Sequence, residues 1–134
     1  MRAKKDGSGM TRLYAPPSGF TTRLVLDEEF VYFTERDGSK RSLMKMKKIG
    51  VWLIKIAPSI NTVFDIGVDS EFVYYFDDEN SSGGDITLRK VAKAGAGGTP
   101  ITLDSGSGGW VGSLAVGQHV LFFQGISQIY SLAK

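Results

Sequence analysis

The sequence predicts an all-β protein made of repeated antiparallel sheets, and a phrase that occurs three times carries this prediction. Each occurrence joins an alternating apolar segment, a polar turn and an aromatic segment, and the three cover residues 24–33, 66–75 and 114–123. Asp27 and Asp69 stand 42 residues apart, and Gly117 takes the same place 48 residues further on. Repeats of this length, each with several short strands, are typical of the four-stranded blades of a β-propeller.

Composition agrees with one domain of short strands. The chain has 134 residues, of which 42% are hydrophobic, with 17 glycines and four prolines. This content is enough for a packed core and favours many turns over long helices. A β-sandwich is the competing fold, but it does not explain why the aromatic segment recurs with its polar turn attached.

The second unit shows the strand pattern most clearly. Alternating and aromatic segments predict four strands, separated by a polar turn, an acidic loop and a glycine-rich turn. The predicted strands cover residues 64–68, 72–76, 85–91 and 99–103. Pro100 then falls in the outermost strand, where a missing N–H is tolerated.

The other two units follow the same plan. The first unit predicts strands at residues 20–26, 30–34, 42–46 and 51–56, and the third predicts only three, at residues 111–116, 120–123 and 128–132. Residues 4–14 match residues 92–102 in order, so we expect them to supply the missing outer strand. One domain, residues 1–134, then contains units of about 20–57, 64–104, and 110–133 together with 4–14.

These repeats are similar to a known group. An aspartate, then Phe-Val-Tyr, then a Lys-x-Gly-Gly type of turn resembles the repeats of six-bladed TolB-like propellers and related bacterial surface propellers, over residues 10–133. Residues 93–98 match the turn well, residues 47–50 match it partly, and the third unit has Gly117 in place of the aspartate. The resemblance implies a six-bladed ring and transfers no active site.

Three blades predict an assembly. Complete propellers have four to eight blades, and an open three-bladed chain exposes two apolar sheet faces to water. Two copies related by a two-fold axis would give six blades. We expect a homodimer with strand exchange, in which residues 10–14 of one chain pair with residues 128–132 of the other. The alternative is an excised or engineered fragment of a longer propeller, with no evolved ligand.

Charge and cysteine content limit the function classes. The net charge is +2, although the first 50 residues hold 11 basic against six acidic side chains and the remainder hold five against eight. This balance argues against a nucleic-acid surface and fits either head-to-tail association or an accidental asymmetry. The absence of cysteine excludes disulfides, thiolate catalysis and the usual structural zinc sites. We expect no membrane span and no signal peptide in this chain, which leaves the compartment open and allows an extracytoplasmic setting.

Candidate ligand-binding residues lie on one predicted rim, in the loops after the second and fourth strands. They are Arg36, Asp37, Asp77, Asp78, Glu79 and Trp110. Residues 77–80 offer oxygens to calcium but lack the alternating pattern of a calcium loop, so we expect a solvated acidic turn and no metal. Asp77 and Glu79 could be the carboxylate pair of a glycoside hydrolase, but no further acid is placed by its spacing to support this role, so we do not expect it.

Single residues suggest few further sites. Trp110 suits sugar stacking or a protein contact, but a core position is the favoured interpretation. Trp52 lies in a predicted outer strand that we expect a partner or a loop to cover. His119 is expected in a surface turn, without a second ligand or a nucleophile. Asp27 and Asp69 are expected to accept backbone N–H bonds in their turns.

Two function classes remain at this stage. The first is a non-catalytic scaffold that presents a rim to a protein or a glycan, without a cofactor. The second is a propeller enzyme, such as a metal-dependent hydrolase or a lyase, which needs several acids or histidines around a central channel. The inner strands offer only Arg23, Asp65 and Ser113 for that purpose.

Overall fold

The computed structural model describes residues 1–17, 21–60, 63–78, 85–107, 113–124 and 128–134. These residues form eleven β-strands and no helix, arranged in antiparallel sheets of four, four and three strands. The prediction of an all-β protein with repeated antiparallel sheets is thereby confirmed. Within these ranges no helix is long and apolar enough to cross a membrane.

Each sheet is built from strands that follow one another in the chain. The first sheet contains β1 (Thr21–Leu26), β2 (Phe30–Asp37), β3 (Lys40–Lys47) and β4 (Ile54–Ile60). The second contains β5 (Val63–Val68), β6 (Phe72–Asp78), β7 (Asp85–Ala92) and β8 (Ile101–Ser107). The third contains β9 (Leu114–Val116), β10 (Val120–Gln124) and β11 (Ile129–Ala133). The eleven strands predicted between residues 20 and 132 each overlap one of these, whereas the outer strand predicted from residues 4–14 does not form.

Several strand boundaries differ from the predicted ones, and two of these differences affect residues that the sequence analysis singled out. β4 begins at Ile54, so the first three residues of the predicted strand lie outside it. Trp52 has a φ of 59°, in the left-handed region, and its side chain is 66% exposed. The Lys47 ammonium lies 4.3 Å from the Trp52 ring centroid, and within the described residues no sheet covers this ring. The second difference is β6, which continues through Asp78 into the segment predicted as a loop.

The core lies between successive sheets. One cluster joins the first and second sheets and includes Tyr32, Leu43, Ile56, Val73 and Tyr75. A second cluster joins the second and third sheets and includes Tyr74, Phe76, Leu88, Leu121 and Phe123. Because side chains alternate along β6, its aromatic run serves both clusters, and this strand is buried on both faces.

The first strands of the three sheets lie next to each other in order, β1 beside β5 and β5 beside β9. Gly67 in β5 is needed for this packing, since a Cβ atom there would lie 2.4 Å from Cγ2 of Val116. Asp65 adds a polar link, because its Oδ2 accepts the N–H of Leu114 at 2.8 Å.

The two outward faces differ from this packed interior. On the first sheet, Leu13 and Tyr14 cover a small cluster around Phe33, but Leu24 and Leu26 remain 66% and 54% exposed. A groove of about 610 Å³ runs along this face. On the third sheet, Phe122 is 46% exposed although it lies in the predicted aromatic core segment.

The N-terminal residues form no named strand. Thr11 pairs with Arg2 in an isolated antiparallel bridge, and the Tyr14 hydroxyl donates to Glu35 at 2.8 Å. Pairing of residues 10–14 with a second chain stays a prediction.

Candidate interaction site

The aspartate of the repeated phrase organises the turn between the first two strands of a sheet. In both complete sheets its Oδ1 accepts two backbone N–H groups at 2.7–2.9 Å. Glu29 and Phe30 donate to Asp27, and Glu71 and Phe72 donate to Asp69. The sequence prediction for these two carboxylates is confirmed, and they fix where β2 and β6 begin.

The second oxygen of each aspartate binds a tyrosine of the same sheet. The Tyr32 hydroxyl donates to Asp27 Oδ2 at 2.8 Å, and the Tyr74 hydroxyl donates to Asp69 Oδ2 at 2.7 Å. Each tyrosine is buried and lies five residues after its aspartate. The carboxylate is thereby tied to the second strand as well as to the turn.

A lysine from the following sheet completes the arrangement. Lys93 Nζ lies 2.5 Å from Asp27 Oδ2, and Lys134 Nζ lies 2.7 Å from Asp69 Oδ2. Each ammonium also sits 5.4 Å from the ring centroid of the corresponding tyrosine, Tyr32 or Tyr74. We call each aspartate, tyrosine and lysine set a clamp. The first clamp joins the first and second sheets, and the second clamp joins the second and third sheets.

The lysine position exists in all three sheets. The backbone N–H groups of three lysines donate to equivalent carbonyl oxygens at 2.9–3.1 Å. Lys48 donates to Glu29, Lys93 to Glu71, and Lys134 to His119. Lys48 is therefore the counterpart of the clamp lysines on the first sheet. Its half-buried side chain lines the groove on the outward face, and it forms no ion pair with any residue in the described ranges.

The third sheet has the same turn without the polar groups of a clamp. The N–H of Gly117 donates to the Val120 carbonyl at 2.9 Å, as the aspartates do in their own turns at 3.1 Å. Gly117 thus replaces the aspartate, and Phe122, five residues later, replaces the tyrosine. The outward face of the third sheet offers an aromatic ring but neither a carboxylate nor a hydroxyl at this place.

Contacts within each clamp shift the pKa of its aspartate and of its tyrosine. Burial raises the pKa of Asp27, but hydrogen bonds from Lys93, Phe30 and Tyr32, together with one from Glu29, outweigh it and hold the pKa well below its usual range. Burial likewise raises the pKa of Asp69, and four hydrogen bonds led by that of Lys134 reverse the effect. Burial first, and then the bond to the carboxylate, raises the pKa of both clamp tyrosines. Both clamp aspartates therefore stay ionised at neutral pH, and both clamp tyrosines stay neutral.

Of the six predicted rim residues, the structure describes the side chains of Arg36, Asp77 and Asp78. Asp77 and Asp78 are 5% and 3% exposed within β6, so the expectation of a solvated acidic turn is wrong for both. Successive strand residues point to opposite faces, and Asp77 approaches Arg89, with its Oδ2 3.8 Å from Nε. Arg36 is exposed, and its Nε donates to the Gly38 carbonyl at 2.8 Å. The Asp37 side chain, Glu79 and Trp110 lie outside the described residues, and ligand binding at this rim stays a prediction.

Acidic and histidine side chains are dispersed elsewhere. Where the structure describes the chain, no three His, Cys, Asp or Glu side chains form a group that could hold a metal ion. His119 is exposed in the third turn, as expected.

Comparison of the chain with protein-family models, with curated proteins and with solved structures finds no match. The likeness to TolB-like repeats accordingly remains a prediction from the sequence.

Sequence reasoning missed the tyrosine and lysine members of the clamps. A signal was present, since a tyrosine follows each aspartate by five residues and Lys93 opens the glycine-rich turn. These spacings did not indicate that the turn of one unit binds a lysine of the next unit.

Proposed function

We propose that the chain is half of a six-bladed propeller that acts as a non-catalytic interaction scaffold and is completed by a second copy. The observation that carries this proposal is the repeated clamp. The first sheet meets the second through the same contacts by which the second meets the third. Repetition of one head-to-tail contact generates a ring when the rotation closes.

The packing of the first strands supports a radial arrangement. β1, β5 and β9 lie beside each other in chain order, while each sheet's later strands lie successively further from them. Blades of a propeller are arranged in this way around an axis, with the first strand innermost.

The two outward faces support association. Leu24 and Leu26 on the first sheet and Phe122 on the third are large apolar side chains that remain about half exposed or more. Contiguous apolar faces of this kind mark contact surfaces in soluble proteins.

The position of the N-terminal residues supports a second copy as the partner. A Cβ atom on Gly98 would lie 3.3 Å from the carbonyl oxygen of Ile56, which belongs to the outermost strand of the preceding sheet. A Cβ atom on Gly50 would lie 3.5 Å from the carbonyl oxygen of Leu13. Leu13 therefore lies beside the first sheet as an outermost strand of a preceding sheet would. Among the described residues the third sheet has three strands and no strand on the outer side of β11, so it is the sheet that such a strand would complete.

Within the described residues no observation favours the enzyme alternative. Asp65, one of the inner-strand groups considered for it, is used in the contact between β5 and β9. The ligand we propose for the scaffold is a protein or a glycan at the rim, where Arg36 is exposed.

Disulfide trapping tests the proposed pairing, because the chain has no cysteine of its own. In the double variant Arg12→Cys with Ser131→Cys, both exposed positions lie on the strands that we expect to pair between copies. Mild oxidation should give a covalent dimer on a non-reducing gel. Arg12→Cys with Ser39→Cys is the matched control and should stay monomeric on the gel. A double variant that cross-links no better than this control would contradict the proposal.

A further inference from the structure

Lys48 stands where both clamp lysines stand, but on the outward face of the first sheet. The lysines of the second and third sheets each meet an aspartate and an aromatic ring of the sheet before them. Lys48 has the same backbone bond to the turn of its own sheet, and its side chain lines the groove between the first sheet and the chain's own residues 1–5. The first sheet thus carries the lysine half of a third clamp.

We infer that the third sheet of a second copy occupies this face, with the Lys48 ammonium over the ring of Phe122, and that residue 117 sets the strength of the contact. This inference rests on the proposed ring and specifies its joining contact, which we call the seam. Three features select the third sheet as the occupant. It has three strands for the N-terminal residues to complete, it presents an exposed apolar face, and Phe122 supplies an aromatic ring at the clamp position.

The seam differs from the two internal contacts in one functional group. Gly117 provides no carboxylate, so Lys48 gains a ring contact but no charge-assisted hydrogen bond. A lysine that is partly desolvated without a carboxylate contributes less than a clamp lysine does. The seams are therefore the weakest contacts of the ring and the places where it opens.

The substitution Gly117→Asp tests this inference by restoring the missing carboxylate. The backbone of the third turn already has the bond found in the aspartate turns, and a Cβ atom would lie 3.0 Å from the Val120 carbonyl oxygen, so a shift of a few tenths of an ångström is required. We expect the dissociation constant of the dimer, measured by sedimentation velocity, to fall about tenfold for each seam and about a hundredfold for a ring with two seams. Gly117→Asn, which has the same shape without the charge, is the matched control and should change the constant much less.

Lys48→Met separates a contact between copies from an effect within the turn. In the Gly117→Asp background it should abolish the gain, because the ion pair is lost while the apolar stem is kept. A gain that survives Lys48→Met, or a dimeric parent that Gly117→Asp does not tighten, overturns the inference and leaves the proposed ring in place. A third outcome is that the parent is a monomer and that the Gly117→Asp variant dimerises only when Lys48 is kept. This outcome supports the inference and contradicts the proposed ring for the parent. Monomers throughout contradict both.

Discussion

At the scale of single residues, Asp69 gathers hydrogen bonds from two sheets. Two backbone N–H groups, the Tyr74 hydroxyl and the Lys134 ammonium all donate to its carboxylate. Its side chain is 19% exposed, so these bonds are only partly screened by water. Loss of the carboxylate leaves the lysine without its counter-charge in a half-buried place, which is costlier than loss of an exposed pair.

Asp69→Asn should lower the free energy of unfolding by about 2–4 kcal/mol at pH 7, as measured by urea denaturation. Glu28→Gln, at an exposed turn position outside the clamps, is the control and should change it by less than about 0.5 kcal/mol. A double-mutant cycle with Lys134→Met should give a coupling of about 1 kcal/mol or more. If Asp69→Asn and Glu28→Gln lower the free energy of unfolding by equally small amounts, the clamp does not stabilise the fold.

The lowered pKa values of Asp27 and Asp69 predict a stability that is lost in acid. In the unfolded chain these aspartates bind protons near their ordinary pKa of about 3.9, whereas in the folded protein they stay ionised to lower pH. The unfolded state therefore binds more protons as the pH falls through about 4, so the contribution is complete above about pH 5 and declines below pH 4.

Urea titrations between pH 7 and pH 3 check this dependence. The parent should lose stability more steeply below pH 4 than Asp69→Asn does, because the variant lacks one of the two groups. Parallel curves for parent and variant would show that the acid dependence arises elsewhere.

The residue scale also shows where sequence reasoning ends. The turn bonds of Asp27 were predictable because the donors are two and three residues away in the chain. Its lysine partner is Lys93, in another unit, and no local pattern states which lysine reaches which turn. That pairing depends on how the sheets pack, which a single sequence does not specify.

At the scale of elements, β6 is the centre of the core because both of its faces are buried. Val73 is fully buried against the first sheet. Val73→Asp should lower the free energy of unfolding by about 3 kcal/mol or more, since it places an unpaired charge in a packed interface. Ile101→Asp, at an exposed position of β8, is the matched control and should cost far less. Thermal and urea unfolding of both variants measure the difference, and similar losses would contradict the assignment of β6 to the core.

The strands were predicted well where aromatic and alternating segments are bounded by turns. They were predicted less well where polar side chains lie inside a strand or an apolar segment lies outside one. Asp77 and Asp78 looked like loop residues, yet they continue the pairing of β6 with β7 and are buried. Arg89, directly across the sheet from Tyr75, offsets part of the cost of burying Asp77, since its Nε lies 3.8 Å from Asp77 Oδ2. Conversely, the apolar segment around Trp52 suggested a strand, but it follows a tight turn closed by the bond from Gly50 to Lys47.

At the scale of the whole molecule, repetition predicts the three sheets and their equal contacts, but closure depends on what covers the outward faces. The first and the third sheet each carry exposed apolar side chains on the outward face, and position 117 of the third sheet lacks the carboxylate of a clamp. Sequence analysis counted the units and expected two copies. It did not predict that the contact we propose between copies lacks the carboxylate of the internal contacts, because this difference follows only from the clamps.

We propose that two copies of this chain close one ring. The molar mass of the protein in solution is the direct test of this assembly. Light scattering coupled to size exclusion, over a concentration series that extends to micromolar protein, should give twice the chain mass of 14.6 kDa. In the proposed ring a second copy would bury both outward faces, so we expect the dimer to elute as one compact species. A compact and stable monomer of 14.6 kDa across the whole series would contradict the proposed ring of two copies.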